Sequence, residues 1–376
     1  MLVRILYCSD NSSDHNLRFL QKISSAGHDV VFCDLVNGNV RDGWLPRDVR
    51  SVQHQVAIGA RASFSLEREY LSQFRSVLGE VRPDIVHAGP LHTCGYIAAL
   101  AKFHPLIVMS WGSDLLLHAP RDPACRSATK IALDGAEGFV CDSDAVLVAA
   151  REYATLPDWR VAQFPWGISS GMFSPTGPLP SPAVMPFGSE TIPLICTRSW
   201  EPVYRIDLLL RAFLRAYQQE ARLRLLLVGS GSESERITEF IGQNELKGVV
   251  LTPGKLERAE LPAWFRASCG YVSCAESDGT SVSMLEAMAT GLPVLVTDIP
   301  SNREWVKPDE NGWLALDAAD FADKLVRLAS LTRAQRDAIS TRNRQVVASR
   351  ADWDRNSNRL LELYGRMIGQ KSAVPA

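Results

Sequence analysis

The stretch "SDGTSVSMLEAMATGLPV", residues 277–294, sets one carboxylate into an otherwise oily helix. Between Val282 and Thr290 the only polar side chains are Ser283, Glu286 and Thr290, which at about 100° per residue fall on one narrow stripe. A helix of this kind is packed on nearly all sides, and its polar strip faces something enclosed and wet. A carboxylate there needs hydrogen-bond donors to offset its desolvation. Ligand hydroxyls can supply them, and so can an internal Lys or Arg. Asp278 stands at the mouth of the turn in which Gly279, Thr280 and Ser281 lead into the helix, with Thr280 or Ser281 as its N-cap. The free amides of that first turn, at the positive end of the helix dipole, suit a phosphate or another anion. Carboxylates for hydroxyls beside amides for phosphate describe a nucleotide-sugar.

The elements around this helix fix where it must sit. "GYVSC" before it is predicted as a buried strand, Gly291 closes the helix, and Pro293 opens the next strand, "PVLVTD". A strand, loop, helix and strand in this order put the loop at the carboxyl edge of a parallel sheet, where such folds bind ligands. The same rhythm runs through most of the chain. "LVRILYC", "HDVVFCDL", "DIVHAG", "PLIVMSWG" and "GFVCDSDAV" alternate with helix-length segments such as "HNLRFLQKISSAG" and "CGYIAALAKF". From Phe173 to Pro193 the text is rich in Pro, Gly and Ser and has no hydrophobic period, which is a linker signal. The rhythm then restarts with "LICTRS", the helix "RIDLLLRAFLRAYQQ", "LRLLLVG", a helix from about Glu233 to Asn244, and "GVVLTPG". "WDRNSNRLLELYGRMI" near the end reads as one helix.

Composition narrows the class. The 376 residues are 46% hydrophobic and 22% charged, the balance of a soluble globular protein with room for two domains. A net charge of −2 gives no footprint for a polyanion, so nucleic acid is not expected as a partner. No apolar run approaches the roughly 18 residues that span a bilayer, and the N-terminus turns polar too soon for a signal peptide. A cytoplasmic protein is expected, and nothing in this conflicts with peripheral attachment to the inner face of a membrane. The eight cysteines are scattered with no CxxC, as reduced packing residues are, and the seven dispersed histidines suggest no metal site.

With its flanks, "SDGTSVSMLEAMATGLPVLVTDIPSNREWV…ENGWL" resembles the signature segment of the retaining glycosyltransferases of family 4. In that group two acids separated by seven residues precede "EAMA-G-PV". Asp278 and Glu286 occupy those positions, and Asp278 is one methylene shorter than the usual Glu. "CTRSWEPVYRIDLLLRAF" is similar to the family's strand, Arg, loop, Lys-Gly, helix element, whose two cations neutralise the donor diphosphate. Arg198 matches the Arg, Tyr204 stands at the Lys position, and Arg205 is the nearest substitute. In "LLLVGSGSESE" Gly229 and Gly231 match a turn suited to close approach to a ligand. "VVLTPGKLERAELPAWF" resembles the segment edging the base pocket, which brings Gly254 and Lys255 near the nucleobase. The N-terminal half departs further from the family. "CSDNSSDHN" replaces the usual Gly-Gly loop, Trp111 stands where a His is common, and Gly112 and Asp114 fit. Asn11, His15 and Asp114 are acceptor-side candidates, with His92.

The resemblance implies an α/β GT-B fold, two Rossmann-like parallel-sheet domains facing across a cleft. Residues 1–175 form an acceptor-binding domain, 176–192 a linker and 193–350 a nucleotide-sugar-binding domain, and the helix in 351–376 packs back toward the first domain. The implied function is transfer of a hexose-type sugar from a UDP or GDP sugar to a hydroxyl of a small-molecule, glycan or lipid-linked acceptor, with retention and without a metal or other cofactor. Arg198, Arg205 and Asp278 are the expected catalytic residues. Glu286, Gly279, Thr280, Ser281, Ser283, Tyr204, Gly229, Gly231 and Lys255 are the expected donor contacts. Two other readings stay open: a sugar-nucleotide epimerase of the same fold, and a non-catalytic nucleotide-sugar-binding protein.

Overall fold

The computed structural model describes residues 2–36, 40, 43–52, 67–169 and 171–371. The chain divides into two compact units. One comprises residues up to Phe164 together with those from Ser357 onward, and the other runs from Pro165 to Asn356.

In the first unit, seven strands form one sheet: β1 (Arg4–Ser9), β2 (Asp29–Asp34), β3 (Val49–Ser51), β4 (Ile85–Ala88), β5 (Leu106–Met109), β6 (Gly138–Cys141) and β7 (Val161–Gln163). Their spatial order is β3-β2-β1-β4-β5-β6-β7, and every pairing is parallel. The second unit has a sheet ordered β10-β9-β8-β11-β12-β13, again parallel throughout. Its strands are β8 (Ile192–Cys196), β9 (Leu223–Val228), β10 (Val250–Gly254), β11 (Gly270–Ser273), β12 (Val294–Thr297) and β13 (Gly312–Ala315). The inner strands are short apolar runs because helices cover both faces. "RILYC", "LIVM" and "VLVT" bury nearly every side chain. The chain order reverses between β1 and β4 in one sheet and between β8 and β11 in the other. Each reversal opens a crevice at the carboxyl ends of the strands.

The Pro-rich stretch after Phe173 is tied into the second unit. Arg266 donates from Nε to the Pro178 carbonyl at 2.9 Å and from Nη1 to the Ser174 carbonyl at 3.4 Å. The C-terminal segment is two helices rather than the single one its periodicity suggests. Trp353–Asn356 belongs to the second unit and Asn358–Lys371 to the first, with the fully buried Ser357 between them. Asn and Ser compete with helical backbone bonding, so "NSN" is a natural break. The last helix buries Leu360, Leu363, Tyr364 and Met367, and the Tyr364 hydroxyl lies 2.6 Å from Nδ1 of the buried His87 on β4. Burial pushes the His87 imidazole down to about 3, so it is neutral near pH 7.

Candidate active site

The helix Val282–Thr290 begins and ends at the residues whose chemistry marks its ends. The Ser281 hydroxyl accepts the Met284 amide at 3.4 Å, and Gly291 takes the left-handed conformation (φ 89°) at the C-cap. All of its side chains are buried except Ser283, which is half-buried. Strands β8 and β11 are neighbours in register (Tyr271 opposite Ile195), so the loops that follow them lie side by side at the crevice. That pairing joins Arg198 to a helix more than eighty residues further along the chain.

Arg198 is the hub. Its Nη2 lies 2.8 Å from Asp278 Oδ2, and its Nη1 donates to the hydroxyls of Ser281 at 3.0 Å and Ser283 at 3.2 Å. Ser283 is within 2.8 Å of the Tyr271 hydroxyl. The flat face of the guanidinium covers the Tyr204 ring at 4.1 Å, a cation–π contact. Tyr204, at the position of the family's second cation, thus sits against Arg198. The Arg198 side chain is 10% exposed and that of Asp278 19%, so the pair is largely out of water. Burial raises the Asp278 carboxyl against the opposing pull of Arg198. For Arg198 burial works against the charge, yet Asp278, Tyr204 and Tyr271 outweigh it and hold the group more firmly cationic than usual. Burial also pushes the Tyr271 phenol up to about 12, with Arg198 pulling the other way.

The glycines after β9 hold this arrangement in place. A Cβ on Gly229 would lie 2.7 Å from the Arg198 carbonyl oxygen, and one on Gly231 2.5 Å from that of Trp200 and 2.7 Å from Glu201 Oε1. The space at both positions is filled by the backbone of the Arg198–Glu201 loop. The loop is also pinned through Trp200, whose amide donates to the Ser230 carbonyl at 3.0 Å and whose carbonyl accepts from Glu233 at 2.9 Å. Arg205 is in the left-handed region (φ 48°) as it enters the helix Ile206–Tyr217, where the family pattern has Gly. Among the described residues its guanidinium makes no hydrogen bond or ion pair. Lys255 is exposed, just beyond Gly254 (φ 82°).

Glu286 is 4% exposed. Of the two donors that sequence left open, an internal base is present. Arg258 Nη1 lies 3.5 Å from Glu286 Oε1, an ion pair too long for a charge-assisted hydrogen bond at about 2.8 Å. Thr290, the third polar residue of the stripe, donates to the Glu286 carbonyl at 2.9 Å and is used up within its own helix.

In the first unit the candidates divide. Asp114 is buried and internally satisfied: it accepts the Leu91 amide at 2.9 Å, the Ser110 hydroxyl at 2.5 Å and the Leu115 amide at 3.0 Å. It ties the end of β5 to the turn after β4. Asp114→Ala is expected to cost the first unit about 2–3 kcal/mol, because it strands buried donors. Denaturant unfolding of that unit checks this, with nucleotide binding unchanged. Asn11 is exposed and donates to Asp10 Oδ1 at 2.7 Å, while its own carbonyl is held by the buried Asn16. Burial, together with Asp34 and Asp114, raises the Asp10 carboxyl to about 6. His15 is half-buried, its ring centroid 6.2 Å from that of Trp111, and His92 lies against His118 at 5.3 Å.

Two family models match the chain, one described as glycosyl transferase 4-like over residues 4–143 and one as glycosyl transferases group 1 over residues 191–330. The chain belongs to the family 4 glycosyltransferases. The likeness extends to solved structures. Sucrose-phosphate synthase from Thermosynechococcus elongatus superposes with a TM-score of 0.83 at 17% identity, covering 98% of this chain and 100% of that one. HepE from Anabaena, solved with UDP and glucose, superposes with a TM-score of 0.76 at 16% identity, covering 96% and 99%. At such identities the likeness shows the fold, which is GT-B. The UDP-N-acetylglucosamine–peptide N-acetylglucosaminyltransferase GtfA subunit of Streptococcus pneumoniae is 23% identical over 156 residues, 41% of this chain and 30% of that protein. The chain spans less than half the length of the curated relatives it matches.

Three features of these loops had no signal in the chain text. Tyr271 supports Ser283 from within a strand that reads only as buried. Tyr204 lies under Arg198. Arg258 comes from a loop with no period, brought to Glu286 because the helix Leu261–Arg266 packs on the helix Val282–Thr290.

Proposed function

We propose that this glycosyltransferase moves a hexose-type sugar from a UDP-sugar to an acceptor hydroxyl with retention of configuration. The observation that carries the reading is the buried Arg198, fixed by Asp278, Ser281 and Ser283 where β8 and β11 part and a helix N-terminus faces the crevice. The anomeric carbon–oxygen bond to the diphosphate breaks, and charge grows on the leaving phosphate. Arg198 and the amides of Gly279, Thr280 and Ser281 meet that charge already oriented, so no reorganisation is needed as it forms. Arg205, whose guanidinium is uncommitted, turns to the diphosphate as the second cation in place of the residue that Tyr204 replaces. The acceptor oxygen bonds to the anomeric carbon on the same face, and its proton passes to the departing β-phosphate. Glu286 accepts the ribose hydroxyls, Asp278 orders Arg198 and touches the sugar, and Lys255 lies beside the base. The first domain holds the acceptor, with Asn11 and His15 at its edge. Uridine is favoured because HepE was solved with UDP and the GtfA subunit is named for a UDP-sugar.

Glu286→Gln tests the donor half of the reading. The amide keeps the shape of the side chain but offers ribose hydroxyls one acceptor in place of a charged pair. UDP is expected to bind about tenfold more weakly, the worth of one charge-assisted hydrogen bond. Calorimetric titration checks this, and an unchanged dissociation constant would remove Glu286 from the ribose site. Incubating the protein with UDP-sugars and no acceptor separates transfer from epimerisation, since only an epimerase returns an altered sugar.

A further inference from the structure

The loop that delivers Asp278 has no ladder of its own. Residues 275–278 follow β11 as neither helix nor strand, and a carbonyl in such a loop must find its donor elsewhere. Two hydroxyls from the neighbouring β12 and the helix after it serve the two ends. Thr297 Oγ1 donates to the Ala275 carbonyl at 2.5 Å, and Ser301 Oγ reaches back 23 residues to donate to the Asp278 carbonyl at 2.8 Å. From the loop after β8, on the other side of β11, the Val203 carbonyl receives the Glu276 amide at 2.8 Å.

The clamp is itself rigid. Ser301 is 1% exposed, and its neighbour Asn302, also buried, donates from Nδ2 to the Thr297 carbonyl at 2.8 Å. Asp278 has reason to need such a hold. Its carboxylate must meet Arg198 at 2.8 Å, and an Asp has one torsion fewer than a Glu with which to correct an error in its backbone position. Any shift of the Asp278 peptide is passed on to the carboxylate.

We propose that Ser301 is a positioning residue for sugar transfer: by holding the Asp278 carbonyl it aims the Asp278 carboxylate at the donor sugar. This rests on the donor-site reading above. Ser301 touches neither nucleotide nor sugar and acts only through Asp278. Without its hydroxyl the Asp278 carbonyl turns to find another donor, and the carboxylate turns with it. Arg198 keeps Ser281 and Ser283, so the diphosphate contact outlasts the loss.

UDP lacks the sugar that Asp278 touches, so comparing it with a UDP-sugar isolates the effect. The full chain and its Ser301→Ala variant would be titrated calorimetrically with UDP, UDP-glucose and UDP-N-acetylglucosamine. Ser301→Ala is expected to weaken the tighter-binding UDP-sugar by about fivefold to tenfold, the worth of one hydrogen bond, and UDP by less than about twofold. In an Asp278→Asn background the same change is expected to add less than about twofold, because residues that act as one unit are not additive. Ser301→Cys keeps the volume with a weak donor and decides the matter if Ser301→Ala does not fold. Ser268→Ala is the control: it removes a buried hydroxyl that donates to the Trp264 carbonyl at the same 2.8 Å, and it is expected to leave the ratio of the two ligands unchanged. Equal weakening of UDP and UDP-sugar, or a full loss on top of Asp278→Asn, would show that Ser301 only stabilises the fold and overturn the proposal. Failure of the unaltered protein to bind any of the three nucleotides would instead sink the donor-site reading, and the positioning role with it.

Discussion

Arg198→Ala lowers kcat by about 100–1,000-fold, the usual loss on removing one preorganised group that stabilises transition-state charge. The substitution removes the cation fastened beside the helix N-terminus. It also leaves the Asp278 carboxylate, 19% exposed, with the Gly279 amide and the Ser281 hydroxyl as its remaining local donors. Burial already pushes that carboxyl up, so without Arg198 it binds a proton more readily still. Arg198→Lys restores part of the rate, because an ammonium keeps the charge but cannot serve Asp278 and two hydroxyls from one rigid fork. Steady-state kinetics with a UDP-sugar check both variants. If Arg198→Ala turns over at an undiminished rate, the diphosphate is neutralised elsewhere. Pairing Arg198→Met with Asp278→Asn separates chemistry from stability, since the double variant leaves no lone buried charge.

Gly231→Ala is expected to damage both stability and turnover through a single methyl group. That methyl would stand 2.5 Å from the Trp200 carbonyl oxygen and 2.6 Å from its carbon, so backbone must move. Overpacking of this kind costs about 3 kcal/mol. The moving backbone carries Arg198, and displacing a charge-stabilising group by about 1 Å costs roughly 100-fold in rate. Thermal unfolding and kcat are read together, with Gly242→Ala as the control. An added methyl at Gly242 meets nothing within 4 Å, so that variant is expected to lose neither. Normal kcat in a destabilised Gly231→Ala would separate the glycine turn from the placement of Arg198.

The parts of this site that can be read from the chain are those set by local chemistry. A hydroxyl before the first turn and a glycine after the last define the helix Val282–Thr290 to the residue, because each satisfies backbone groups that the helix leaves open. The parallel sheets are legible for a similar reason, since strands buried on both faces must be short apolar runs. Pairings across the fold are not legible. Glu286 announces a need for donors, but Arg258 is one of forty Lys and Arg residues and its loop has no period to point with. Gly229 and Gly231 announce a close approach without saying that the approaching atoms belong to the protein. Asp114 is a lone acid after a strand, and the three donors converging on it come from parts of the chain that no local pattern points to.

The helix Asn358–Lys371 completes the first unit from beyond the second unit in the chain. On a ribosome, β1 to β7 emerge with the slots for Leu363 and Tyr364 empty, and all of residues 165–356 must be translated before those side chains arrive. The nascent amino-terminal lobe is therefore exposed to chaperones for the whole synthesis of its successor, and a messenger truncated within the second lobe yields a first lobe with part of its core missing.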